Sequence, residues 1–161
     1  MYSAELPKVY QQVAADPRPI RVLTLPTGVR DGLSSLGNFD PAAQFYQTFH
    51  GKGLVGGYLS RVSARRKLFY RRDPVFGALM DVSAGQTLEP VQIDRAIAGA
   101  NNFIRVTNLG YVVMHRATVG DDVRDFATIL LGLRKVAEAD GYELYVPNRA
   151  GGSSAGKIPL R

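Results

Sequence analysis

Two short runs in this chain are almost wholly apolar: Ile20-Arg21-Val22-Leu23-Thr24-Leu25 and Tyr111-Val112-Val113-Met114-His115. A strand with one wet face alternates apolar and polar side chains, whereas a strand covered on both faces does not. Covering both faces takes helices, so these runs commit the chain to an α/β or mixed sheet. Neither run approaches the roughly 20 apolar residues that cross a bilayer.

The segments around them supply the helices. Residues 7–16 read as a helix with Pro7 at its start, where a missing N–H costs nothing, and with Val9, Tyr10 and Val13 on one face. Pro17 and Pro19 stop it. Residues 27–40, rich in glycine, read as a long loop, residues 41–49 as a short helix with Asp40 as N-cap, and residues 52–59 as a second strand. Asp73-Pro74 opens a further helix, and residues 90–106 another, with Ile93, Ile97, Ala100 or Asn101, and Ile104 as its apolar stripe. Asp121-Asp122 begins a helix with Val123, Phe126, Ala127, Leu130, Leu131, Leu133 and Val136 inside it, Arg134-Lys135 near its end and Gly141 breaking it. Residues 142–146 alternate and read as an edge strand. The expectation is a small single-domain α/β sandwich over 1–148, its mixed or mostly parallel sheet of about four strands flanked by helices. The last β-α-β makes a right-handed crossover if its strands are parallel neighbours. Residues 149–161 read as a flexible Gly/Ser-rich tail.

Charge narrows the partners. The chain carries a formal +6, and Arg61, Arg65, Arg66, Lys67, Arg71 and Arg72 lie close enough together to account for it. A local excess of this kind suits an anionic neighbour: phosphate, lipid headgroup, acidic glycan or nucleic acid. The chain has no Cys, which removes disulfides, thiol nucleophiles and Cys-based metal sites. Its two histidines, His50 and His115, lack zinc-site spacing, so no metal and no cofactor is expected. Residues 1–5 have neither the basic nor the apolar region of a signal peptide.

The densest block of polar chemistry is Gln47-Thr48-Phe49-His50-Gly51-Lys52-Gly53-Leu54-Val55-Gly56-Gly57-Tyr58-Leu59-Ser60-Arg61. Gly51, Gly53 and Gly56 satisfy GxGxxG, but a dinucleotide fingerprint needs a strand before it and a helix after it, and here residues 41–49 read as helical and Gly57-Tyr58-Leu59-Ser60 is a weak helix start. Residues 151–157 approach a phosphate-cradling loop, yet Ile158 stands where the magnesium-binding hydroxyl belongs. Ser60 and Ser63 have no nucleophile-elbow context. Asp31 suits a turn better than a base. Gln47, His50, Lys52, Tyr58, Ser60 and Arg61 remain as ligand-binding candidates: Gln, His and Tyr suit sugar hydroxyls, Lys and Arg a phosphate. A buried Gln47–His50–Ser60 network that only pins the loop is the competing reading. Arg65, Arg66, Lys67, Arg71 and Arg72, interleaved with Leu68, Phe69 and Tyr70, are candidates for an anionic surface, and a solvated connector is the bland alternative.

Val22-Leu23-Thr24-Leu25-Pro26, Arg30-Asp31-Gly32, the Gln47–Lys52 and Gly56–Arg61 blocks, and Tyr111-Val112-Val113-Met114-His115-Arg116 occur in this order. Together, over roughly residues 8–147, they resemble the soluble C-terminal region of bacterial multi-pass membrane proteins that look like GT-C-type glycosyltransferases. The resemblance implies an extracytoplasmic domain attached to a membrane-embedded enzyme, with catalysis in the membrane half. The expected role is then a non-catalytic accessory or ligand-binding domain. Its partners would be the membrane-embedded part of the same or another protein, a glycan or lipid-linked sugar phosphate, or anionic lipid. The alternatives are a stand-alone nucleic-acid-binding or nuclease-like domain that uses residues 61–72, and a small hydrolase or transferase centred on His50.

Overall fold

The computed structural model describes residues 6–31, 34–38, 42–58 and 64–148. The chain runs α1 (Lys8–Ala15), β1 (Arg21–Leu25), β2 (Gly28–Asp31), β3 (Ser34–Gly37), α2 (Ala42–His50), β4 (Gly53–Leu54) and β5 (Gly57–Tyr58). It continues α3 (Ala64–Arg72), α4 (Pro74–Ser83), α5 (Pro90–Thr107), β6 (Leu109–His115), α6 (Asp121–Leu131), β7 (Arg134–Ala139) and β8 (Tyr142–Val146). The main sheet has five strands in the order β4-β1-β6-β8-β7, one more than the sequence suggests. It is mixed: β1 is parallel to β4 and β6, and β8 is antiparallel to β6 and β7. The α/β class with helices on both faces holds.

The apolar runs are the two central parallel strands, and their side chains divide between two cores. Val22, Tyr111, Val113, Tyr142 and Leu144 face α1 and meet Val9, Tyr10 and Val13. Leu23, Leu25, Val112, Met114 and Tyr145 face α4, α5 and α6 and meet Phe76, Leu79, Phe103 and Phe126. Burial on both sides is why these strands show no polar alternation.

Five local expectations change. Within the stretch read as a loop, Gly28–Asp31 and Ser34–Gly37 are strands β2 and β3 of a second, small sheet, β3-β2-β5, in which β2 pairs antiparallel with β3 and parallel with β5. The strand expected over 52–59 is two two-residue strands, one in each sheet, because Gly56 at φ +83° turns the chain between them. The last helix stops at Leu131: Gly132 takes φ +59° and residues 134–139 leave as β7. Asp140 and Gly141, both at positive φ, close a two-residue hairpin from β7 to β8. β6 and β8 are therefore antiparallel, not the halves of a parallel crossover, and β8 is interior while β7 takes the edge.

The fifth change is a rotation of α5. Its buried face is Ala96, Ala100, Phe103, Ile104 and Thr107, and Ile97 is exposed. Small side chains bring α5 close to α4, and Gly99 lies against Pro74 and Val75. The start of α4 is as expected, with the Asp73 carboxylate accepting from the N–H groups of Val75 and Phe76 at 3.0 and 2.9 Å. Asp40, read as the cap of α2, and the tail from 149 lie outside the described residues. None of the described helices is long and apolar enough to cross a membrane.

Candidate functional site

The glycine-rich block forms the end of α2 and the turn into β4. Gly51, at φ +67°, continues the last turn of the helix by donating from its N–H to the Gln47 carbonyl at 2.9 Å. The Gln47 side-chain amide donates to the Lys52 carbonyl at 3.1 Å, and the Lys52 N–H donates to His50 Nδ1 at 3.0 Å. Sequence proximity and the left-handed glycine bring Gln47, His50 and Lys52 together, and the Gln47 amide and His50 Nδ1 are engaged with the turn's own backbone. The Lys52 ammonium reaches back to the loop before β1 and donates to the carbonyls of Asp16 and Arg18 at 2.5 and 2.8 Å.

His50 is only 4% exposed, and its ring lies nearly parallel to that of Tyr10, 5.7 Å away. Burial, reinforced by the Lys52 charge, lowers its pKa from 6.5 to about 4. It is therefore neutral near pH 7, and since Nδ1 accepts a hydrogen bond, Nε2 carries the proton. That N–H is buried and has no hydrogen-bond partner among the described residues. Tyr58 lies in β5, paired with Arg30 of β2. Ser60 and Arg61 lie outside the described residues, as does the Ser60 arm of the network weighed above.

Beside Lys52 is a cluster that sequence reading missed. Asp16 accepts from the Arg18 guanidinium at 2.6 Å and from the Tyr111 hydroxyl at 2.7 Å. Its hydrogen bonds to Arg18 hold its carboxyl well below the usual carboxylate range, while burial pushes the Tyr111 phenol up. Asp-Pro-Arg after a helix was the available signal; that it meets Tyr111 depends on the strand order. A second missed group surrounds Glu143 of β8, which points into the core and accepts from the Tyr145 hydroxyl at 2.7 Å. Arg124, Arg116 and Lys135 approach it at 3.3, 3.6 and 3.6 Å. Burial, then the bond to Glu143, pushes the Tyr145 phenol up to about 12. Buried charge compensated this closely is a packing device for α6, β7 and β8. His115 stacks flat on Tyr142 at 4.3 Å.

The basic run forms α3. The Tyr70 ring is buried and packs 5.0 Å from Phe76, which fixes one side of the helix to the core. On the other side, Arg65, Leu68, Phe69 and Arg72 follow i, i+3, i+4, i+7 spacing and share one face. Leu68 and Phe69 are 45% and 43% exposed, and both arginines are exposed and make no ion pair among the described residues. The sequence placed Arg65, Arg66, Lys67, Arg71 and Arg72 together; it was the helical spacing that went unread, and it sets two apolar side chains between two cations. Arg72 also edges a groove of about 590 Å³ between α4 and α5, where Arg95, Asp73 and Asp81 supply charges of both signs.

Among the described residues no cluster of His, Asp or Glu has the grouping to hold a metal ion. No protein-family model, no curated protein and no solved structure matches the chain.

Proposed function

We propose that this chain is a non-catalytic binding module that docks on an anionic membrane surface through the outer face of α3. It would serve as an accessory domain of a membrane glycosyltransferase-like protein. The reading rests on one observation above the others: Arg65, Leu68, Phe69 and Arg72 share an exposed helix face that the core does not use. A cation near an anionic bilayer contributes about 1 kcal/mol, and apolar side chains beside it add their own transfer from water. Leu68 and Phe69 favour a lipid interface over a duplex, whose backbone offers phosphates but no apolar layer. The link to a glycosyltransferase-like protein comes from the sequence resemblance alone.

Cosedimentation with vesicles tests the docking. The chain should bind vesicles of phosphatidylglycerol mixed with phosphatidylcholine and not those of phosphatidylcholine alone. Leu68→Ser/Phe69→Ser should lose most of that binding with the fold retained and only a modest drop in thermal unfolding, since both side chains are about half exposed. Equal binding to both vesicle types, or full binding by the double variant, would overturn the proposal. So would tighter, salt-sensitive binding to an oligonucleotide with no vesicle binding, which would move the basic helix to the nucleic-acid reading.

A further inference from the structure

A second groove, again of about 590 Å³, runs between α6 and the loop joining α4 to α5. Leu88, Ile93, Phe126 and Ile129 line its apolar part, and Asp122 and Asp125 line its acidic part. Neither carboxylate makes an ion pair among the described residues, whereas the neighbouring Asp121 meets Arg124 at 3.4 Å. The core leaves this groove unfilled, and its chemistry asks for an occupant that is both apolar and cationic.

The chain's own sequence contains such a segment. Residues 149–161, outside the described part, end in Lys157-Ile158-Pro159-Leu160-Arg161. Pro159 biases the residue before it towards an extended backbone. In an extended segment alternate side chains point to opposite sides, so Ile158 and Leu160 share one side and Lys157 and Arg161 the other. The described chain also leaves the fold at the right place. The Asn148 N–H donates to the Leu131 carbonyl at 3.3 Å, at the C-terminal end of α6. From there to the first turn of α6 is about 15 Å at 1.5 Å per helical residue. Thirteen residues extend to about 43 Å, so reach is ample even with Gly151 to Gly156 spent as a connector.

We propose that residues 157–161 dock into the groove of their own chain, with Ile158 and Leu160 turned inward against Leu88, Ile93, Phe126 and Ile129, and the two outward-facing cations reaching the rim where Asp122 and Asp125 are exposed. The docking is independent of the α3 reading, since it uses the other charged surface of the molecule. It makes the acidic groove an intramolecular receptor for a short basic segment, and the linker keeps the effective concentration of that segment high.

The test uses the full chain. Because the sequence has no Cys, Ser154→Cys carries a single nitroxide label. In the ¹⁵N spectrum, the amides of Leu88, Ile93, Phe126 and Ile129 should lose most of their intensity relative to the sample with the nitroxide reduced. Ile158→Ser/Leu160→Ser should restore them, and so should high salt in part. Amides of equal intensity in both redox states would overturn the proposal, as would a loss that the double substitution leaves unchanged. A loss that also develops in unlabelled ¹⁵N chain mixed with labelled ¹⁴N chain would put the segment in a second copy and overturn the intramolecular docking.

Discussion

The turn at the end of α2 and the helix α3 carry similar side chains and use them in opposite ways. In the turn, the Gln47 amide, His50 Nδ1 and the Lys52 ammonium meet backbone groups of the turn itself and of the loop before β1, and only His50 Nε2 is left without a partner among the described residues. In α3, Arg65 and Arg72 are exposed and make no ion pair among the described residues, and Leu68 and Phe69 stay about half exposed, with the Phe69 ring resting edge-on against Tyr70. A left-handed glycine ends the helix and leaves amides and carbonyls that side chains must meet; an uninterrupted helix makes no such demand. In this chain the left-handed Gly51 therefore draws neighbouring side chains into the turn, while the cations of α3 stay uncommitted among the described residues.

The largest effect that could break this contrast lies at Gly56. It holds φ +83°, and a Cβ there would sit 2.7 Å from the ring of the fully buried Phe76. A left-handed alanine together with overpacking of this kind costs about 3 kcal/mol. Gly56→Ala should lower the urea midpoint accordingly while a folded fraction still binds anionic vesicles. A fully stable Gly56→Ala would mean that the glycines of this block serve something other than the fold.

The next effect is nearly as large and depends on pH. The folded pKa of His50 lies below its unfolded value, about 4 against 6.5. The unfolded chain therefore takes up the proton first as pH falls. Stability is whole above about pH 6.5, declines through the window down to about pH 4, and levels off below it as far as this group is concerned. Some 2.5 units at 1.36 kcal/mol each gives roughly 3 kcal/mol. Denaturant midpoints measured across that window should fall more steeply for the natural chain than for His50→Phe, which keeps only the decline due to carboxylates such as Asp16 at its acid end. A natural chain with no steeper decline would place His50 in contact with water or a ligand rather than in the core.

The sequence made the central architecture legible because the feature that shows it, apolarity without alternation, is a direct consequence of burial on both faces. It also placed α1, the start of α4 and the strand at 111–115. The edge was misread. Leu130, Leu133 and Val136 keep helical spacing, yet Gly132 ends the helix and Asp140-Gly141, a two-residue hairpin signal, was in plain view. Periodicity cannot distinguish a helix that continues from one that stops and leaves its last apolar residues to a strand. At the candidate site, the basic residues were legible as a cluster, and their division into faces was not. Once the helix is known, the spacing of Arg65, Leu68, Phe69 and Arg72 decides which of them can act together. The pairing of Asp16 with Tyr111 spans 95 residues and follows from strand order, which no local pattern encodes.

A smaller effect separates binding from stability. Arg65→Ala/Arg72→Ala removes two exposed cations worth about 1 kcal/mol each near an anionic surface, so vesicle affinity should fall roughly 30-fold. Unfolding should shift by less than about 0.5 kcal/mol, since neither side chain has a partner to lose among the described residues. A matching loss of stability would mean that α3 is held by its charges and is no free surface.

The smallest effect sharpens the comparison within the turn itself. Gly51, at φ +67°, has nothing within 4 Å of where a Cβ would stand, unlike Gly56. Gly51→Ala therefore tests conformation without crowding and should cost about 1 kcal/mol, the lower end of the penalty for a left-handed alanine. Gly51→Asn should recover part of it, because asparagine tolerates that region better. If Gly51→Ala instead cost as much as Gly56→Ala, open space beside Gly51 would have to be filled in the folded protein. The turn would then belong with α3 as a surface that meets a partner.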